Sequence, residues 1–121
     1  MATKAKVKKA KKPPEPYFKE MVELWFQFCR DKFDETPSFT GSAPRDLKTI
    51  LTALRERAEK SEIEWTLQIA TLRLNNFLDF AWGEKWLREH WLLSNINRQK
   101  DTIFYKIRAS IKRQATDSPF D

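Results

Sequence analysis

The sequence predicts an all-α protein, a small bundle of four to five helices that follows a disordered basic N-terminal arm. Between Arg45 and Ser118 the chain has no proline, and the whole sequence has two glycines, which favours helices over a β architecture with many turns. Apolar residues recur at intervals of three and four over most of this range. With 121 residues and 40% hydrophobic content, the chain can bury one core, so we predict a single helical domain at residues 16–115 and a tail at residues 116–121.

The N-terminal arm, residues 1–15, concentrates the positive charge of the chain. The six lysines in residues 1–12 account for the net charge of +6, because 17 bases and 17 acids cancel in the remaining sequence. These lysines are Lys4, Lys6, Lys8, Lys9, Lys11 and Lys12. The arm carries too few apolar residues to form a core, so it is predicted to be disordered, and the prolines around its end form a stiff spacer.

The first predicted helix covers residues 16–34. One face carries apolar residues at helical spacing, and others widen that face, so we expect the helix to pack against two neighbours. The first set is Phe18, Val22, Trp25, Cys29 and Phe33, and the second is Met21, Leu24 and Phe28. Cys29 is the only cysteine, which is typical of a reducing compartment. Its apolar surroundings indicate a buried thiol rather than a reactive one.

A polar loop at residues 35–46 leads into the second helix. Pro37 and Pro44 disfavour helix in the residues before them, and Gly41 suits a turn with positive φ. Phe39 is expected to anchor the loop on the core. Pro44 also suits the first turn of the second helix. The core face of that helix is predicted to contain Leu47, Ile50, Leu51, Leu54 and Ala58.

The third helix, within residues 65–82, is predicted to be the centre of the bundle. Its apolar residues cover almost the whole circumference, which is typical of a buried helix. Thr66 is a suitable N-cap, and Gly83 is a suitable residue beyond the C-terminus. We therefore expect the other helices to pack around this one.

Two further segments complete the predicted bundle. Residues 84–91 predict a short helix with Leu87 and both tryptophans facing inward. Ser94 is the predicted N-cap of the last helix, at residues 95–113. One side of this helix is apolar, and the other collects a basic and partly aromatic set. That set comprises Arg98, Tyr105, Lys106, Arg108, Lys112 and Arg113.

Charge is distributed unevenly within the body. Residues 95–113 contain six bases and the single acid Asp101, whereas residues 15–36 contain three bases and six acids. The body is therefore neutral as a whole but polar from one end of the chain to the other.

Catalytic signatures are missing from the sequence. One histidine, His90, and one cysteine cannot supply a usual zinc site, and no glycine-rich phosphate loop or nucleophile elbow occurs. We therefore predict a protein that is not an enzyme and needs no metal or cofactor. The lysines are not followed by an apolar run, and no stretch of about eighteen apolar residues occurs, so neither a secretory signal nor a membrane span is predicted. The expected location is the cytoplasm of a bacterial cell.

Nucleic-acid binding is the function that the charge pattern favours. A lysine-rich arm can neutralise phosphates and release counterions, which gives sequence-nonspecific affinity that falls with salt. The basic side of the last helix adds phosphate contacts, and Tyr105 adds a ring for base stacking. The plain alternative is a solubilising arm and a solvated helix face, and the sequence does not separate DNA from RNA.

Protein binding is a second possibility because the chain is rich in aromatic residues. Five Trp, two Tyr and nine Phe are many for a core of this size, and those left at the surface would be interaction hot spots. Trp82, Trp86 and Trp91 are the candidates. The alternative is that they pack in the core.

Two stretches carry a resemblance to a known family. Residues 37–54, PSFTGSAPRDLKTILTAL, and residues 77–104, FLDFAWGEKWLREHWLLSNINRQKDTIF, resemble a helical replication-associated module found in Bacteroidetes genomes, phages and mobile elements. Similar modules occur beside helicase-loader-like or replisome-organiser-like regions. The positions that match the module are Pro37, Phe39, Gly41, Leu47, Lys48, Ile50, Leu93, Ser94, Asn95, Asn97 and Arg98. The resemblance covers about residues 20 to 107 and implies a role in DNA replication.

The matching polar signature also has a local interpretation. Ser94 can cap the last helix, while Asn95 and Asn97 bond the backbone or a partner near its first turn, where free N–H groups favour an anion. Taken together, these features predict a non-enzymatic, DNA-associated accessory protein of phage or mobile-element replication that also docks a protein partner. The alternative is a protein adaptor or inhibitor without a nucleic-acid role, and a structural virion component is a third possibility.

Overall fold

The all-α fold is confirmed by the structure, a computed structural model that describes residues 15–116 and the side chains of residues 15–111. Residues 1–14 of the predicted lysine-rich arm, residues 117–121 of the predicted tail, and the side chains of Lys112 and Arg113 lie outside this described part. Within it the chain forms six helices and no strand. They are α1 (Phe18–Phe33), α2 (Ala43–Lys60), α3 (Leu67–Trp82), α4 (Lys85–Glu89), α5 (Leu93–Arg98) and α6 (Lys100–Thr116).

Helix α1 shows the broad apolar face that the sequence predicts. Met21, Trp25, Phe28 and Cys29 are buried, and the helix packs against α2 and α3. Phe33 is the exception, because it lies in the last turn and remains substantially exposed. The helix ends at Asp34, which adopts positive φ and donates its backbone N–H to the carbonyl oxygen of Arg30, satisfying one of the terminal carbonyls.

The loop before α2 has the predicted conformation. Gly41 has φ of 63°, a region in which glycine avoids the clash that a side chain would cause. Phe39 anchors the loop by packing edge-on against Phe26, with ring centroids 5.5 Å apart. Pro44 lies in the first turn of α2, where its missing N–H costs no hydrogen bond. The predicted core residues Leu47, Ile50, Leu51, Leu54 and Ala58 are all buried.

Helix α3 is the centre of the bundle, since it packs against α1, α2, α4 and α6. Thr66 is its N-cap, and the Thr66 hydroxyl accepts the backbone N–H of Ile69 over 3.2 Å. The prediction that the whole circumference is buried is wrong. Leu67 and Leu72 remain exposed, because neighbouring helices cover one broad face of α3 and leave its flanks open. The buried residues are Ala70, Leu74, Phe77, Leu78 and Ala81.

The last predicted helix is divided in two, and the predicted N-cap is wrong. Helix α5 starts at Leu93 with Leu92 as N-cap, so Ser94 lies inside the first turn. At Gln99 the chain turns before α6 begins. The reason is that α5 packs on α2 through Leu93 and Ile96, whereas α6 packs mainly on α3, and one straight helix cannot serve both directions.

Candidate anion-binding surfaces

A buried carboxylate holds the junction between the arm and the helical body. Glu15, which the sequence prediction assigned to the disordered arm, is only 5% exposed. The Thr52 hydroxyl donates to Glu15 Oε1 over 2.8 Å. Arg55 donates from Nε to Oε2 over 2.7 Å and from Nη2 to Oε1 over 3.3 Å, and the hydrogen bond to Glu15 raises the pKa of Arg55. The chain is therefore tied to α2 immediately after the arm.

Thr52 also lines a shallow basic depression of about 330 Å³. We call it the arm-root surface, and its residues are Arg45, Lys48, Thr49, Thr52, Ala53, Glu56 and Lys100. Three bases and one acid line it. The hydroxyl protons of both threonines are donated within the protein, from Thr49 to the carbonyl oxygen of Arg45 and from Thr52 to Glu15. Arg45 and Lys48 lie one turn apart on α2, a spacing visible in the sequence, but their proximity to Lys100 depends on how α6 packs. None of these three was predicted as a nucleic-acid contact.

The predicted basic side of the last helix is not one surface. Arg98 belongs to α5 and is exposed. Tyr105 is exposed, and Lys106 forms an ion pair with Glu84, so its charge is partly matched within the body. Arg108 lies in a different groove. Among the predicted residues whose side chains the structure describes, Tyr105 and Lys106 lie together, in a depression that also contains acids.

The groove that contains Arg108 lies between α2, α3 and α6 and has a volume of about 580 Å³. We call it the basic groove, and its lining is Leu54, Arg57, Lys60, Ser61, Leu72, Arg73, Asn76, Phe104, Ile107, Arg108 and Ile111. Four bases and no acid line it within the described part of the chain. Arg57 lies over the Phe104 ring, 3.9 Å from its centroid. Burial, followed by the positive charge of Arg108, lowers the pKa of Arg57, and Asp101 opposes this effect.

A groove of opposite charge lies between α1 and α3. This acidic groove has a volume of about 500 Å³ and is lined by Glu20, Met21, Glu23, Leu24, Gln27, Phe28, Asp31, Leu67, Thr71 and Asn75. Its lining includes three carboxylates and no base among the described residues. In the sequence the first helix is rich in acids and the last in bases, and the structure positions acids and bases on separate flanks of α3.

The segments at residues 37–54 and 77–104 contact each other through polar side chains. Asn97 donates from Nδ2 to Asp46 Oδ1 over 3.0 Å, and the Ser42 hydroxyl donates to Asp46 Oδ2 over 2.8 Å. Asn95 donates to the carbonyl oxygen of His90 over 2.9 Å. The two asparagines therefore bond protein acceptors, and the buried Asp46, which sequence reasoning missed, joins the two motif segments.

The tryptophans have different environments. Trp82 and Trp91 pack edge-on with ring centroids 5.0 Å apart, and Trp91 also stacks on Trp25. Trp86 was predicted to face inward, but it is 49% exposed and stacks on the exposed His90 ring at the surface. Of these three tryptophans, only Trp86 is exposed enough to contact a partner, together with the His90 ring on which it stacks.

Chemically reactive groups are few in the part of the chain that the structure describes. No cluster of three or more His, Cys, Asp or Glu residues in residues 15–116 could hold a metal ion. Cys29 is buried, and burial raises the pKa of its thiol to about 11. None of the described helices is long and apolar enough to cross a membrane.

No protein-family model, curated protein or solved structure matches the chain. The surfaces described above are therefore interpreted from their own chemistry.

Proposed function

We propose that the protein is a non-enzymatic, DNA-associated accessory factor whose lysine-rich arm and arm-root surface bind the phosphate backbone. The observation that carries this proposal is the attachment of Glu15 to Thr52 and Arg55, because Thr52 also lines the arm-root surface. The resemblance of residues 37–54 and 77–104 to a replication-associated module supports a role in phage or mobile-element DNA replication.

Glu15 follows Lys12 by three residues in the sequence, and Glu15 is bonded to α2, the helix that carries Arg45 and Lys48. Arg45, Lys48 and Lys100 lie around the same site on α2 and α6. A strand of DNA held by the arm can therefore contact the body at these bases.

The chemistry of the arm-root surface suits phosphate contacts rather than base recognition. Lysine and arginine side chains commonly donate to phosphate oxygens, and such contacts carry no direct sequence information. Among its described lining residues there is no large apolar side chain that could insert between bases. Binding should therefore be insensitive to sequence and sensitive to salt.

A salt-titrated gel shift with single-stranded and duplex DNA tests the proposal. Removal of residues 1–12 should reduce the slope of log affinity against log salt by up to about 5 on duplex DNA, because six phosphate contacts are lost. The double variant R45Q/K48Q should reduce it by up to about 2. Equal slopes for the intact protein and the arm deletion would refute the proposal.

The matched control is K32Q/K85Q, which removes two exposed bases outside the arm-root surface. Its salt slope should stay close to that of the unmodified protein. If this control weakens binding as much as R45Q/K48Q does, the body contributes only its net charge and the arm-root surface is not an interface.

A protein adaptor is the second candidate function, and one observation favours it. Leu72 and Ile111 are large aliphatic side chains that remain exposed at the basic groove. Neighbouring exposed apolar groups of this kind mark surfaces that bind other proteins.

A further inference from the structure

The basic groove combines two features that the other two surfaces do not share. The arm-root surface is basic but has no large apolar side chain, and the acidic groove has apolar residues but no base among its described lining. From the combination in the basic groove we propose that it docks a protein segment in which apolar side chains are flanked by carboxylates.

The floor of the basic groove supplies the apolar part of the contact. Leu72 on α3 is 65% exposed, and Ile111 on α6 is 61% exposed. Ile107 is partly buried between them and the core, and Leu54 and Phe104 are buried beneath. A groove of about 580 Å³ can accept several side chains, and covering the two exposed residues removes apolar surface from water.

The rim supplies the electrostatic part. Arg57 and Lys60 come from α2, Arg73 from α3 and Arg108 from α6, so bases surround the floor on three helices. Burial lowers the pKa of Arg57 most; the positive charge of Arg108 lowers it further, and Asp101 opposes this effect, so Arg57 and Arg108 lie close enough to repel each other. A carboxylate placed among these groups reduces the repulsion and gains charge-assisted hydrogen bonds.

The groove is less suited to nucleic acid than to such a segment. Single strands bind through aromatic rings whose faces are open to stacking bases. Phe104 is the only aromatic residue among the described lining residues, and it is buried with the Arg57 guanidinium over its ring. The exposed part of the floor is aliphatic, which favours apolar protein side chains.

This inference does not depend on the proposed DNA contacts. The basic groove and the arm-root surface have no lining residue in common. Neutralising Arg45 and Lys48 should therefore reduce DNA binding and leave peptide binding at the groove unchanged. The two proposals can fail separately.

Fluorescence anisotropy with synthetic peptides tests the inference on the full chain. The probe is a set of labelled peptides that carry leucine and phenylalanine anchors among aspartates and differ in the spacing of the anchors. At least one should bind, and replacing its anchors by serine or its aspartates by asparagine should each weaken binding by about tenfold or more. The variants L72N/I111N and R73Q/R108Q should weaken it to a similar degree.

Matched controls distinguish peptide binding at the groove from nonspecific apolar binding and from the effect of net charge. Leu92→Asn alters a comparably exposed leucine elsewhere, and R45Q/K48Q removes two bases elsewhere, so neither should change the affinity. Circular dichroism of each variant should be unchanged, because all of the substituted side chains lie at the surface. Equal losses for the controls and the groove variants would overturn the inference.

Other occupants give distinct results, and each would overturn the proposal. Loss of oligothymidylate binding in L72N/I111N would make the groove a nucleic-acid site. A dimer in sedimentation that becomes a monomer in the same variant would identify a second copy as the occupant. A tenfold gain in peptide affinity on removal of residues 117–121 would identify the chain's own tail. Failure of every peptide to bind at millimolar concentration would leave the groove without this function.

Discussion

The acidic and basic grooves lie on two flanks of the same helix, have similar volumes and carry opposite charge. The acidic groove has about 500 Å³ and the basic groove about 580 Å³, so size does not distinguish them. The first contains Glu20, Glu23 and Asp31, whereas the second contains four bases. Electrostatic complementarity governs which partner a surface accepts and which it repels. The two flanks of this bundle should therefore select ligands of opposite charge.

The separation of charge depends on a nearly neutral central helix. Helix α3 contains only two charged residues, Arg73 and Asp79, and most of the groove charges come from the helices beside it. It contributes one exposed leucine to each groove, Leu67 on the acidic side and Leu72 on the basic side. Helix α3 thus provides an apolar wall that both grooves share. The helices beside it determine the sign of the charge on each flank.

The largest expected effect is a loss of stability when a buried side chain of that shared wall, helix α3, is truncated. Phe77 is fully buried on α3 and packs against Phe104, which lines the basic groove. Phe77→Ala removes this ring and leaves a cavity, so it should lower the free energy of unfolding by about 3–5 kcal/mol. Urea denaturation followed by circular dichroism provides the measurement. Leu72→Ala, at an exposed position on the same helix, should change stability by about 0.5 kcal/mol or less.

Equal effects of the two substitutions would contradict the placement of Phe77 in the wall. Because both grooves use α3, Phe77→Ala should disturb them together. A variant that loses only one groove would indicate that the two flanks fold independently.

Much of the helical framework could be predicted because it depends on local sequence. Apolar spacing locates the four longest helices, and Thr66, Pro44 and Gly41 specify an N-cap, a first turn and a loop through their own stereochemistry. The opposite charge of the first and last helices was also predictable, since it follows from counting their charged residues. Each of these features is set by residues close together in the chain.

The predictions that failed concern features that depend on contacts between distant parts of the chain. The turn at Gln99 arises because α5 and α6 pack on different helices, so the apolar period alone suggests one continuous helix. Glu15 is anchored by residues of α2 that follow it by 37 and 40 positions. Arg57 and Arg73 join Arg108 only after three helices have packed. A site assembled from several elements cannot be derived from the periodicity of one.

A smaller expected loss of stability distinguishes Asp46, which stabilises the fold, from the carboxylates of the acidic groove. Asp46 is buried and accepts hydrogen bonds from Ser42 and Asn97, so Asp46→Ala leaves donors without their acceptor and should cost about 1–3 kcal/mol of stability. Glu23→Ala, at an exposed position in the acidic groove, should cost about 0.5 kcal/mol or less. Chemical denaturation of both variants provides the test.

A large loss of stability in Glu23→Ala would mean that the acidic groove is held together by its own charges. The expected result is the reverse, with the acids of the groove available to a ligand and Asp46 reserved for the contact between α2 and α5.

The smallest effect concerns repulsion within the basic groove. Arg108 lies close enough to Arg57 to lower its pKa, so the two charges oppose each other in the folded state. Arg108→Gln should therefore raise stability by about 0.3 kcal/mol at low salt, a magnitude typical of a pair of like charges at a surface. The gain should disappear at high salt, where exposed charges are screened.

Lys85→Gln, an exposed base outside the groove, serves as the control and should show no comparable gain. A loss of stability in Arg108→Gln at low salt would mean that Arg108 contributes more through packing than it costs through repulsion, and the groove would then lack the crowded charge that should attract a carboxylate.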